Sequence, residues 1–240
     1  MMITWIIATL CAFYVKGLCG FANTLVFTSI LSFGTANINI SPVELILGDP
    51  TNLIISWKER KSIDWRICLP LAGMVIVGSL AGVLFLKNAD ITVVKVMFGV
   101  LIIFVGLEMI VREISAKKRE QSKILLTVIG VLSGFLCGLY GVGALLGAYV
   151  GRTANDSKAF KANICTVFII ENSFRIILYS IYGIMTIAAL KRALILAPFM
   201  LAGLGAGMIS AKKIDDRTVK MIVVVMLIIS GISLILTNII

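Results

Sequence analysis

Long stretches without a charge dominate the chain. Ile67–Leu86, Ala193–Ala211 and Met221–Ile240 contain none, and Val96–Val111 contains only Glu108 near its end. A helix crosses a hydrocarbon core of about 30 Å with about 20 residues at 1.5 Å each, so each stretch reads as a membrane helix. Two further spans are apolar with charge inside them. Ile164–Tyr182 carries Glu171 and Arg175, and Val43–Trp57 carries Asp49 followed by Pro50 at its middle. Two runs are too long for one straight crossing: Met2–Gly34, interrupted only by Lys16, and Ile124–Val150. As single helices they would extend to about 50 and 40 Å. Each contains a glycine cluster, GLCGFAN at Gly17–Asn23 and GFLCGLYGVGALLG at Gly134–Gly147. Glycine costs about 1 kcal/mol against alanine inside a helix, so each run is predicted to break there into two helical pieces. Pro50 and Pro198 are expected to kink their spans.

The pattern repeats. GSLAGVLFLKNADITVVK (Gly78–Lys95) lies over GLGAGMISAKKIDDRTVK (Gly203–Lys220) at an offset of 125, and Gly106 and Gly231 continue the register. At an offset of 121, Gly17 and Gly20 fall on Gly138 and Gly141. The chain reads as a duplicated unit in one membrane domain: a first repeat over 1–115, a basic linker within Arg112–Lys123 (116–123 between the repeats), and a second repeat over 124–240.

Composition agrees with this picture. The 240 residues are 60% hydrophobic and 14% charged, with a mean hydropathy of +1.07; soluble domains are about 25% charged. The net charge of +10 is no sign of nucleic acid, because 20 of the 22 basic residues lie in short segments between apolar runs. By segment there are four in 58–66, two in 87–95, five in 112–123, three in 151–163, two in 183–192 and four in 212–220. If each glycine-broken run crosses once, alternate sides carry 11 and 9 of them; if each folds back, the sides carry 16 and 4. The excess of basic residues on cytoplasmic loops favours the second arrangement. The expected fold is therefore an all-α integral membrane protein of about 8–10 hydrophobic helical segments. Its two homologous halves are inverted repeats with glycine-broken helices and a cytoplasmic linker. The opening MMITWIIATLCAFYVKG has no basic residue before its apolar run and no A-x-A-like site, so it reads as a retained membrane segment.

Charge within a membrane span is costly and marks ion or substrate paths. The candidate clusters are GDPTN (Gly48–Asn52) and ENSFR (Glu171–Arg175), which place Asp49 and Glu171 122 residues apart, at matching depth in the two halves. Glu171 and Arg175 are spaced i,i+4 and can pair; a neutral ion pair that only joins helices is the alternative. After each break, the unpaired N–H groups of the second helical piece offer an anion site, supplemented by the side chains of Asn23 and Thr24. Close helix packing is the competing role for the glycines. Lys16 is either a second cationic contact for an anion or an end residue reaching for the interface. The substrate-binding candidates are thus Arg175, Asn52, Asn172, Asn23, Lys16, Gly17, Gly20, Gly138, Gly141 and Gly143. Asp49 and Glu171 are the candidate proton-coupling acids, since a carboxyl removed from water readily holds a proton.

Other chemistry is excluded or unsupported. With no histidine, the chain can build no Ser/His pair, His-ligated haem or HExxH zinc site. The five cysteines fall inside apolar runs with no CxxC, as small hydrophobes do. No metal or cofactor is implied, and without a G-x-x-x-x-G-K-[ST] motif any transport would draw on an ion gradient unless a partner ATPase supplies the energy. KERKSIDWR and AKKREQSK read as cytoplasmic anchors able to contact anionic lipid. A homo-oligomer is compatible with the chain. A lipid-processing membrane enzyme and an accessory subunit are the rival readings, the first lacking any nucleophile with a base.

The order and spacing of GLCGFAN, KERKSIDWR, GSLAGVLFL leading to FGVLIIFVGLEMI, GLYGVGALLGAYVGR and AFKANICTVFIIENSFRIILYSIYG resemble the sulfite exporter TauE/SafE-like family across nearly the whole chain. The resemblance implies a secondary transporter of sulfite, sulfonates or related carboxylates in the bacterial inner membrane. Family glycine motifs often run G-x-G-G-G to a proline; here Phe21-Ala22-Asn23 and Val142-Gly143-Ala144 stand instead.

Overall fold

The computed structural model describes residues 2–31, 35, 37–88, 123–140, 143–154 and 156–215, with scattered helical positions within 99–110 and 218–236. The elements in order are α1 (Met2–Cys19), α2 (Asn23–Leu31), α3 (Asn37–Lys58), a short 3-10 turn at Arg60–Ser62, α4 (Trp65–Asn88), α5 (Lys123–Tyr140), α6 (Ala144–Thr153), α7 (Ser157–Ile181) and α8 (Ile187–Ser210). No strand occurs among the described residues. Four of these helices contain stretches long and apolar enough to cross a membrane: Met2–Cys19, Trp65–Leu84, Ser157–Ile181 and Ile187–Ser210. The chain is an all-α membrane protein. Most of the linker lies outside the described residues.

Both long runs break where the glycines predict. The first breaks over Gly20–Ala22, where Gly20 has φ +88° and Ala22 φ +70°. The left-handed region suits Gly20; at Ala22 it is strained by the Cβ. The second breaks before Ala144, with Gly143 preceding α6 and the Gly147 amide donating to the Gly143 carbonyl at 2.9 Å. Later helices start on side-chain caps: Asp156 accepts from the Ala159 amide at 2.7 Å and Thr186 from the Ala189 amide at 3.1 Å, each satisfying a donor the helix leaves open. Pro50 and Pro198 lie inside α3 and α8, which continue through them.

The first helix is seated on the last of the long described helices, and the helix after the linker on the long described one before it. α1 packs on α8, α5 packs on α4, and α3 packs on α7 between them. Glycines make the two outer crossings. Gly78 faces the Val131 carbonyl and the Phe135 amide, and Gly203 faces the Leu10 carbonyl and the Tyr14 amide. Gly138 faces the Ser79 carbonyl, and Gly17 faces the Leu204 carbonyl. An offset of 125 (78 to 203, 79 to 204) with one of 121 (10 to 131, 14 to 135, 17 to 138) carries one set of contacts onto the other. These are the two offsets in the sequence, and the reason is steric: a side chain at any of these glycines would meet backbone.

Contacts between loops fix which ends of the helices lie together. The Asp64 amide donates to Asn163 Oδ1 at 2.7 Å, so basic segments 58–66 and 151–163 share an end. The Arg192 guanidinium sits 4.5 Å from the Trp5 ring centre, which joins the starts of α1 and α8. The largest hydrophobic core gathers α1, α2, α3 and the faces of α7 and α8 around Phe13, Phe27, Val43 and Leu196.

Candidate functional site

Five charged side chains gather where α3 and α7 meet, with α1 and α2 beside them. Lys16, Glu44, Glu171 and Arg175 are each 2% exposed or less, and Asp49 is half-buried. Each is placed by its helix. α1 carries Lys16 one turn before the break, and its Nζ donates to the Gly48 carbonyl of α3 at 3.0 Å. Lys16 therefore points inward to α3 rather than out to an interface.

Arg175 has four neighbours. Its NH1 donates to the Cys137 carbonyl at 2.6 Å and its NH2 to Asn172 Oδ1 at 2.9 Å; its Nε lies 3.4 Å from Glu171 Oε1, and its Cζ is 5.9 Å from the Tyr179 ring centre. The pairing expected from the i,i+4 spacing is present, although the Nε–H is not aimed for a hydrogen bond. Ser79 Oγ donates to the same Glu171 oxygen at 2.7 Å, while Glu171 Oε2 has no hydrogen-bond partner among the described residues. Tyr179 is held in turn by Ser41, with 3.0 Å between their hydroxyl oxygens.

Asp49 is reached by the Asn172 side chain and borders a pocket of about 410 Å³ lined by Ile46, Pro50, Ile176, Met185, Thr186 and Leu190. Asn52, one turn further along α3, is 1% exposed, and its Oδ1 finds no partner among the described residues. Asn23, the first residue of α2, donates from Nδ2 to Glu44 Oε1, and Thr24 also reaches that carboxylate.

The predicted site residues thus fall into two groups. Lys16, Asn23, Asp49, Asn52, Glu171, Asn172 and Arg175 line the region between α1, α2, α3 and α7. The glycines serve the backbone. Gly17 and Gly138 lie at the helix crossings, Gly20 makes the first break with the Lys161 side chain packed on it, and Gly143 starts α6 beneath the Phe168 ring. Gly141 lies outside the described residues. Sequence reasoning missed Glu44. It lies just inside the apolar span of α3, five residues before Asp49 and one turn before Gly48, and that spacing was the available signal.

Two cations and three carboxylates thus stand in one largely buried cluster. Among the described residues no group of three potential metal-ligating side chains forms. A model of the sulfite exporter TauE/SafE family matches residues 5–234. No curated protein and no solved structure matches the chain. With nearly its whole length covered, and with buried cations set among polar groups in a helical membrane core, the chain belongs to the sulfite exporter TauE/SafE family, whose members are membrane transporters of anions and not enzymes.

Proposed function

We infer that the chain is a secondary carrier for small oxyanions such as sulfite, sulfonates or related organic acids, coupled to protons and sited in the bacterial inner membrane. The observation that carries this reading is the burial of Lys16 and Arg175 at 2% exposure each, on helices of different halves. A charge held inside a bilayer costs a few kcal/mol or more and is kept for a task. Arg175 holds the anionic head, helped by Lys16, Asn23, Asn52, Asn172 and the backbone N–H groups that follow Gly20 and Gly141. Gly17 and Gly138 bring the surrounding backbones close enough for this, and Gly143 lets the Phe168 ring close over the start of α6.

Asp49 and Glu171 are the acids that exchange protons. Asp49 borders the open pocket and is the entry, while Glu171 is wholly buried beside Arg175. Alternating access then moves one inverted repeat against the other around this centre. The shared end of segments 58–66 and 151–163 supports inversion, because it matches the folded-back arrangement of 16 and 4 basic residues. The basic segments contact anionic lipid on that side.

Sulfite uptake into proteoliposomes tests the roles. Arg175→Ala and Glu171→Gln are expected to abolish flux, and wild-type flux in both would defeat the assignment.

A further inference from the structure

The donors nearest the first break are already occupied. Asn23 and Thr24, in the first turn of α2, are engaged by the Glu44 carboxylate, a group 2% exposed. Space for this arrangement exists because residue 48 is glycine: a Cβ there would stand 3.1 Å from Glu44 Oε1 and 3.4 Å from Asn23 Nδ2. The Gly48 carbonyl, in turn, takes Lys16. Around Glu44 stand Lys16 on α1, Cys137 on α5, and Glu171, Arg175 and Tyr179 on α7, while Asp49 lies five residues further along α3. An anion held in this position would have the same surroundings.

We propose that Glu44 is a tethered carboxylate occupying the anion seat in this conformation, and that a transported anion replaces it only as Glu44 takes up a proton. The inference rests on the anion-carrier reading above and names how its coupling is built. With all five groups ionised, the buried centre holds two cations and three carboxylates. A monoanion added to this set would bring a second uncompensated negative charge into low dielectric, a cost of several kcal/mol. If Glu44 instead binds one proton and releases Asn23 and Thr24, the anion enters with no change in net charge.

Asp49 and Glu171 pass the proton on but do not fill the seat, since neither reaches Asn23 or Thr24 as Glu44 does. Glu171 is committed to Ser79 and Arg175, and Asp49 is reached by Asn172. The seat is also single. At the 122-residue spacing of Asp49 and Glu171, Glu44 corresponds to Thr166, and at the offset of 121 Asn23 corresponds to Ala144. The Thr166 hydroxyl is spent on the Ala162 carbonyl at 2.7 Å and Ser56 at 2.9 Å. One tethered acid gives one proton for each anion.

The experiment measures labelled sulfite in proteoliposomes of the full chain in two ways: accumulation driven by an inward proton gradient, and exchange against internal sulfite with no gradient. Wild type is expected to do both. Glu44→Gln is expected to keep exchange and to lose gradient-driven accumulation by about tenfold or more. Gradient-driven accumulation surviving in Glu44→Gln, or loss of its exchange in a folded variant, overturns the proposal while wild-type flux leaves the carrier reading standing. Absence of both activities from wild type, for sulfite and for a small alkanesulfonate, overturns the carrier reading itself. Should Glu44→Gln fail to fold, Asn23→Ala keeps the acid and removes a seat donor. Its exchange KM is expected to rise about tenfold, as loss of a hydrogen bond to a charged group gives, and an unchanged KM overturns the proposal.

Discussion

Lys16 Nζ and the Gly48 carbonyl, 3.0 Å apart, tie the helix before the first break to the helix that carries two of the three buried acids. A helical carbonyl accepting a second donor from an ammonium is a charge-assisted contact. Lys16→Met removes it and leaves Arg175 as the cation for three carboxylates. The expected cost is about 2 kcal/mol from the hydrogen bond alone. It is read as a lower melting temperature in detergent together with a loss of sulfite flux. A variant as stable and active as wild type would show that Lys16 serves neither purpose.

The Glu171–Arg175 pair makes a coupled prediction. Removing one partner strands the other, so Arg175→Met is expected to cost about 3–5 kcal/mol. Arg175→Met combined with Glu171→Gln should cost less than the sum of the single changes, because no buried charge is left alone. Denaturation of the four members of this cycle measures the difference. Strict additivity would mean that the 3.4 Å approach carries no energy.

Ser79 isolates one hydrogen bond. Ser79→Ala leaves the glycine crossing intact and takes the donor from Glu171, which then keeps Arg175 as its remaining partner among the described residues. The expected loss is about 1.5–3 kcal/mol of stability, with the proton dependence of sulfite flux altered. Equal stability would place that carboxylate in a more hydrated setting than the structure shows.

The crossing glycines should be far less tolerant than their neighbours. Gly134→Leu or Gly203→Leu would drive a side chain into the backbone of Val75 or Leu10, whereas a Cβ at Gly73 or Gly205 meets nothing within 4 Å. Loss of folded protein is expected for the first pair. Gly73→Ala and Gly205→Ala are expected to fold normally, and size-exclusion profiles of the four variants separate the cases.

Topology can be read by labelling with a membrane-impermeant maleimide in a Cys11→Ser background, the other four cysteines being buried. Lys61→Cys, Lys158→Cys and Lys212→Cys are expected to label from the cytoplasmic side and Ile187→Cys from the other. Labelling of Lys61→Cys and Lys158→Cys from opposite sides would contradict the shared end set by Asp64 and Asn163.

Much of this was legible before any coordinates. The charge-free runs marked α4 and α8, the glycine clusters located both breaks, and i,i+4 spacing paired Glu171 with Arg175. The offsets of 125 and 121 were visible because glycine is kept where backbones touch, and such positions accept nothing larger. Glu44 was not singled out, since its role depends on α2 turning back to meet it, a tertiary contact between residues 21 apart. The seating of α1 on α8 was equally hidden, because the repeat says which segments are alike and not which ones touch.

That exchange of partners has a consequence for synthesis. α1 ends at Cys19, while the helix it rests on begins only at Ile187. Until the ribosome has delivered that late segment, Gly17 and its neighbours present a bare backbone groove to lipid or to an insertion factor. α5, by contrast, emerges after its own partner α4 and can dock at once. The opening helix therefore cannot mature with its immediate neighbours: a late segment of the chain finishes its seat.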